Sequence, residues 1–109
     1  MKKPDALQGS LDLLVLKILA HRAPLHGYAI MSAIEQISER ILRVEEGSLY
    51  PALHRMEESG WLQASWGTTA SRRRAKIYSL TKEGLLQLEA TESHWKDVTA
   101  AVNRVLKMA

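Results

Sequence analysis

The side chains able to do chemistry in this chain are few and poorly arranged for catalysis. There is no cysteine, which removes disulfides and thiolate metal ligation from consideration. His21, His26, His54 and His94 fall at no metal-ligand spacing. The carboxylate pairs Glu45/Glu46 and Glu57/Glu58 are adjacent, so on a helix the members of each pair face apart and make a poor acid–base couple. No nucleophile motif and no phosphate-cradling glycine loop is present. No catalytic residue, metal ligand or cofactor is therefore expected. What the sequence does offer is concentrated positive charge. Arg72, Arg73, Arg74 and Lys76 lie in residues 62–81, which contain no acid. The whole formal net charge of +3 resides in residues 1–81, and residues 82–109 are balanced. A surplus of one sign gathered in one short segment points to an anionic partner.

The chain must present that segment on something small. Its 109 residues suffice for one compact core. At 46% apolar and 25% charged the composition is that of an ordinary soluble protein. The longest apolar stretch, Leu13 to Leu16, is far too short to span a bilayer. The basic start Met1-Lys2-Lys3-Pro4-Asp5 leads into no uninterrupted apolar region, because Lys17 breaks the run. A cytoplasmic location, with no membrane partner, is expected.

Four helical patterns and one hairpin are legible. The first helix is expected from about Leu7 to His21, with Ser10 as N-cap and Asp12 in the first turn. Leu11, Leu14, Val15, Ile18 and Leu19 form one face, and Leu13 and Leu16 carry apolar surface most of the way round. Such a helix needs burial on two sides. Ala23-Pro24-Leu25-His26-Gly27 ends it, with His26 shaping the turn. A second helix is expected from Gly27 to Ser38, facing inward through Tyr28, Met31, Ile34 and Ile37 with Ile30 beside them. A third is expected from Glu46 or Ser48 to Ser59, with Leu49, Leu53 and Met56 in the core, Pro51 in its first turn and Gly60 ending it. A strand from Trp61 to Trp66, a basic loop over 67–74 and a strand over 76–80 form a ribbon. Thr81 then caps a helix of some 26 residues, about Lys82 to Lys107 and roughly 39 Å long, too long to bury in so small a domain. Leu85, Leu88, Trp95, Val98, Val102 and Val105 fall near one stripe, which reads as an oligomerisation arm.

Three helices followed by a hairpin is the order of a winged helix-turn-helix. The expected class is α+β, mainly α, with residues 1–81 as the winged DNA-binding unit and 82–109 as a dimerisation helix. In that fold the third helix enters the major groove and the wing meets the adjacent backbone or minor groove. Ser48, Tyr50, His54 and Arg55 leave the third helix away from its core face and can reach phosphates and base edges. Arg72, Arg73, Arg74 and Lys76 on the wing can neutralise phosphates.

These residues also resemble the PadR family of transcription regulators over nearly the whole chain. The likeness rests on Pro24-Leu25-His26-Gly27-Tyr28 and on Gly47-Ser48-Leu49-Tyr50-Pro51-Ala52-Leu53-His54-Arg55-Met56-Glu57. It continues in Gly60-Trp61-Leu62, Trp66-Gly67, Arg72-Arg73-Arg74-Ala75-Lys76 and Tyr78-Ser79-Leu80-Thr81-Lys82-Glu83-Gly84. The resemblance implies a repressor on a pseudo-palindromic operator in double-stranded DNA, released by a small molecule. It implies the compact subgroup, homodimers in which the single C-terminal helix packs across the partner's first helix, through Leu11, Leu14, Leu85, Leu88, Trp95, Val98, Val102 and Val105. Trp95 lies fourteen residues after Thr81. Multidrug-sensing members place a Trp there, at the dimer interface, where paired indoles sandwich flat aromatic compounds. The resemblance thus implies ligand binding at Trp95 and a small aromatic or hydrophobic effector. Two departures stand out. Ser71 replaces the usual wing glycine, and Glu45-Glu46 replaces Ser-Pro before Gly47, adding negative charge close to where phosphates would lie. The alternative is a winged-helix module that docks another protein, without a ligand.

Overall fold

The computed structural model describes the backbone of residues 5–108, and side chains from residue 10 onward. The basic Met1–Pro4 start lies outside the described residues. The elements run α1 (Asp5–Arg22), β1 (Leu25–His26), α2 (Gly27–Ile37), α3 (Glu46–Glu58), β2 (Leu62–Thr68), β3 (Arg74–Leu80) and α4 (Lys82–Leu106). The three strands form an antiparallel sheet in the order β1-β3-β2.

The core is built around α1. Leu13, Val15, Leu16, Ile18 and Leu19 are all buried, with Val15 and Leu16 wholly so. Apolar cover on so many sides is possible because α1 packs against α2, α3, α4 and β3. Leu11 and Leu14 are partly buried against the same core. The helix begins earlier than expected, and Ser10 lies inside it rather than capping it. The upstream residues Ala6, Leu7 and Gln8 are good helix formers and carry the helix back past the serine.

Residues Leu25 and His26 cross the edge of β3, opposite Tyr78 and Ile77. His26 then caps α2, its Nδ1 accepting the Ala29 N–H at 3.3 Å. The buried face of α2 is Ile30, Ala33 and Ile34. Tyr28 and Ile37 are 61% and 56% exposed, which corrects the expected inward stripe. Steps of three residues drift behind the 3.6-residue turn, so a stripe drawn at i+3, i+6 and i+9 leaves the core at both ends.

Helix α3 buries Leu49, Ala52, Leu53 and Met56, the i, i+3, i+4, i+7 pattern of one helical face. It ends in a Schellman turn: Trp61 N–H donates to Met56 O and Gly60 N–H to Glu57 O, both at 3.0 Å, with Gly60 at φ +80°. Because α3 starts at Glu46, Pro51 sits in its second turn and not its first. The missing N–H would have met Gly47 O. Gly47 is exposed, so water can satisfy that carbonyl and the proline is tolerated.

The β2–β3 ribbon pairs from Leu62↔Leu80 out to Thr68↔Arg74, leaving 69–73 as its tip. The strands therefore extend further along the ribbon than the loop expected over 67–74. Thr69 closes the turn: its N–H donates to Arg73 O at 2.8 Å and its Oγ1 accepts the Arg73 N–H at 3.1 Å. Thr81 caps α4 as expected, accepting the Gly84 N–H at 3.0 Å. Along α4 only Gly84 and Leu88 are buried. Leu88, expected on a dimer surface, is 4% exposed and belongs to the core of this chain. Beyond it the helix leaves the body of a molecule measuring 56 × 30 × 28 Å.

Candidate nucleic-acid interface

One open cleft of about 820 Å³ lies between α3 and the ribbon. Its helical wall carries Glu46, Tyr50 and His54, and its ribbon wall carries Trp66, Arg73, Arg74 and Lys76. The alternation of a strand explains the second wall. Trp66 lies opposite Lys76 and Thr68 opposite Arg74, so these four side chains share one face of the ribbon. The start of α2 forms the back of the cleft, through His26, Gly27 and Tyr28.

Each wall is held by packing or charge. A Cβ on Gly27 would come within 2.7 Å of Tyr50 Cε1, so the phenol ring lies directly on the α2 backbone. That contact needs glycine, and it presents Tyr50 to the cleft. Arg74 stacks over the Trp66 ring, 4.8 Å from its centroid, which restrains a long side chain while leaving its charge outward. Arg72, at the tip, has φ +63° and is exposed outside the cleft, in a turn where glycine would be freer.

Two of the expected contact residues are engaged elsewhere. Arg55 forms a bidentate ion pair with Asp12 of α1, both N···O distances being 2.8 Å. The hydrogen bonds from its guanidinium raise the Arg55 pKa, and they turn the side chain toward α1. Lys76 lines the cleft but its Nζ lies 3.0 Å from Glu57 Oε1 on α3. That hydrogen bond raises its pKa and ties the ribbon to α3. Both residues act as struts that fix the two walls relative to the core. Tyr78, buried behind the cleft, has its phenol pushed up by burial.

Ser48 is exposed on α3 but neither caps the helix nor lines the cleft. Sequence reasoning gave Trp66 only a supporting part and did not put Glu46 on the cleft wall. Strand alternation around Lys76 gives the signal for Trp66, and the four-residue step back from Tyr50 gives that for Glu46. Trp95 is 42% exposed on α4, away from the cleft. Leu85, Val98, Val102 and Val105 are exposed along the same helix, as are Leu86 and Leu106. Lys17 of α1 pairs with Glu92 of α4 at 3.1 Å, tying the two helices together. Among the described residues no His, Asp and Glu side chains gather to hold a metal ion. Among the same residues no helix is long and apolar enough to cross a membrane.

Residues 15–90 match the sequence profile described as the transcriptional regulator PadR-like family. A PadR-like transcriptional regulator from Bacillus cereus strain ATCC 14579 is 27% identical and superposes with a TM-score of 0.79, covering 97% of this chain and 100% of its own. A PadR family regulator from Eggerthella lenta DSM 2243 is 30% identical, with a TM-score of 0.79 over 96% of this chain and 88% of its own. A transcriptional regulator from Clostridium thermocellum shares the fold at a TM-score of 0.84 and 24% identity, over 95% of this chain and 100% of its own.

Proposed function

The chain belongs to the PadR-like family of transcriptional regulators, proteins that regulate transcription and are not enzymes, and from that premise we propose that it is a dimeric DNA-binding repressor. The observation that carries the reading is the cleft itself. A recognition helix bearing Tyr50 and His54 faces a ribbon bearing Arg73 and Arg74 across a gap open to solvent. Helix α3 enters the major groove of double-stranded DNA. Ser48, Tyr50 and His54 contact phosphates and base edges, and Arg72, Arg73 and Arg74 neutralise the flanking backbone. Arg55 and Lys76 contribute by holding these groups in place.

Residues 1–81 form the DNA-binding head and 82–109 the dimerisation helix, whose first turns also complete the head's core through Leu88. The second protomer covers Leu85, Trp95, Val98, Val102 and Val105, together with the outer face of α1 near Leu11 and Leu14. So many exposed apolar side chains on one projecting helix support this, because monomers rarely leave a large apolar surface in water. A C2 dimer sets two recognition helices about 34 Å apart, matching a pseudo-palindrome. A small aromatic or hydrophobic effector enters beside Trp95 and favours an arrangement of the two heads that no longer fits both half-sites. It does so only through different affinities for the two arrangements. The protein works in the cytoplasm, where its operator is.

Selection of bound fragments from random duplex DNA, followed by titration across salt, tests the reading. A selected pseudo-palindrome bound more weakly as salt rises is the expected result. Failure to bind any duplex in dilute salt refutes it and leaves the alternative of a protein-docking module. A screen of aromatic compounds for Trp fluorescence quenching and DNA release tests the effector separately.

A further inference from the structure

We infer that Glu46 reads a base, selecting cytosine in each half-site by accepting a hydrogen bond from its exocyclic amino group; the inference rests on the DNA reading above. Glu46, Tyr50 and His54 recur every fourth residue of α3 and all three line the cleft, so they form one stripe on the helix. A carboxylate facing a polyanion costs affinity at every phosphate it approaches. This one is not taken up internally. Among the described residues no cation pairs with Glu46 within 4.0 Å, and no side chain caps the helix at Glu45. Its place in the first turn of α3 is where a recognition helix meets base edges.

The major groove offers amino donors from cytosine and adenine, whereas guanine and thymine present acceptors that repel a carboxylate. Adenine also presents N7, an acceptor beside its amino group, and is better matched by an amide. Cytosine presents its amino group alone, so an acceptor-only side chain favours it. The neighbouring glycine supports a close approach at this point. Gly47 is exposed within the helix, yet a Cβ there would meet nothing within 4 Å. No packing inside the chain requires glycine, which is a poorer helix former than alanine. The space beside Glu46 is left clear for a body outside the chain.

The test uses the full-length protein and its Glu46→Gln and Glu46→Ala variants, each checked by thermal melting. Fragment selection from random duplexes is followed by fluorescence anisotropy on the selected duplex and on versions changed at single positions. Wild type is expected to require cytosine at one symmetric position per half-site, discriminating by on the order of tenfold. Both variants are expected to fall below about twofold there while keeping the other positions. Gly47→Ala is expected to weaken binding without lowering the melting temperature. If Glu46→Gln instead tightens binding to every duplex equally and the selected motif is unchanged, Glu46 is only a repulsive charge and the inference is overturned while the DNA reading stands. If wild type binds no duplex, both fall.

Discussion

Removing the Asp12 carboxylate tests whether Arg55 is a strut or a DNA contact. In Asp12→Ala, Arg55 loses both partners of a fork whose two N···O distances are 2.8 Å. The Asp12 side chain is 14% exposed and that of Arg55 39%. Exposed ion pairs contribute about 0.2–1 kcal/mol, and stripping one partner from a fully buried pair costs about 3–5 kcal/mol. A bidentate pair buried on its acidic side falls between, at about 2 kcal/mol. For a domain of this size that lowers Tm by roughly 8–16 °C, read by differential scanning fluorimetry at fixed protomer concentration. Arg55→Ala is expected to cost a similar amount. The double variant is expected to be more stable than the summed losses by about 1–2 kcal/mol, the coupling of groups in contact. Arg55→Lys, lacking the planar fork, is expected to recover less than half. The reasoning is refuted if Asp12→Ala costs under about 0.5 kcal/mol, or if Arg55→Ala weakens DNA binding more than about tenfold at unchanged stability.

Other consequences can be measured on the same protein. Arg73→Ala/Arg74→Ala is expected to flatten the dependence of log K on log salt by roughly 3 to 4 in a dimer, since each lost phosphate contact removes about 0.9, as anisotropy titrations at several salt concentrations will show. Leu88→Ala is expected to destabilise the protomer by about 2–5 kcal/mol, whereas Val98→Asp/Val102→Asp is expected to yield folded monomers by analytical ultracentrifugation. The Lys17 ammonium holds the Glu92 carboxylate below its ordinary pKa. Its share of stability is therefore present above the usual carboxylate range and is lost as pH falls through the lowered value. Lys17→Met is expected to flatten the acid limb of Tm against pH.

The sequence made most of this arrangement legible, and the misreadings have identifiable causes. Leu49, Leu53 and Met56 announced their helix face because their spacing follows the helical turn. Thr81 announced a cap that the structure bears out. Tyr28 and Ile37 misled because an apolar side chain at an i+3 step looks periodic but drifts off the buried face. The β1 strand left no trace, since two residues are too few for alternation and its pairing partner lies some fifty positions away. Leu88 and Trp95 look alike on a helical stripe. Only the depth at which α4 emerges from the body separates one from the other. Arg55 and Lys76 also pair with carboxylates, Asp12 and Glu57, that lie on other elements. Charge pairing across a fold is invisible to spacing.

The joint between α3 and α4 leaves little slack. The Thr81 hydroxyl lies 2.6 Å from Gly60 O and 3.0 Å from Trp61 O, and the Thr81 N–H donates to Trp61 O at 3.1 Å. A side chain on Gly84 would collide with the same Trp61 carbonyl. The end of one helix and the beginning of the other are thus joined by hydrogen bonds and a close backbone contact, with no free linker between them. Were that joint rigid, a tilt of about 5° imposed far out on α4 would swing α3, roughly 20 Å long, through about 1.7 Å at its tip. Hydrogen bonds to base edges tolerate only a few tenths of an ångström. On the proposed DNA reading, a disturbance at the outer end of α4 would then reach the half-sites with no element melting and no loop rearranging.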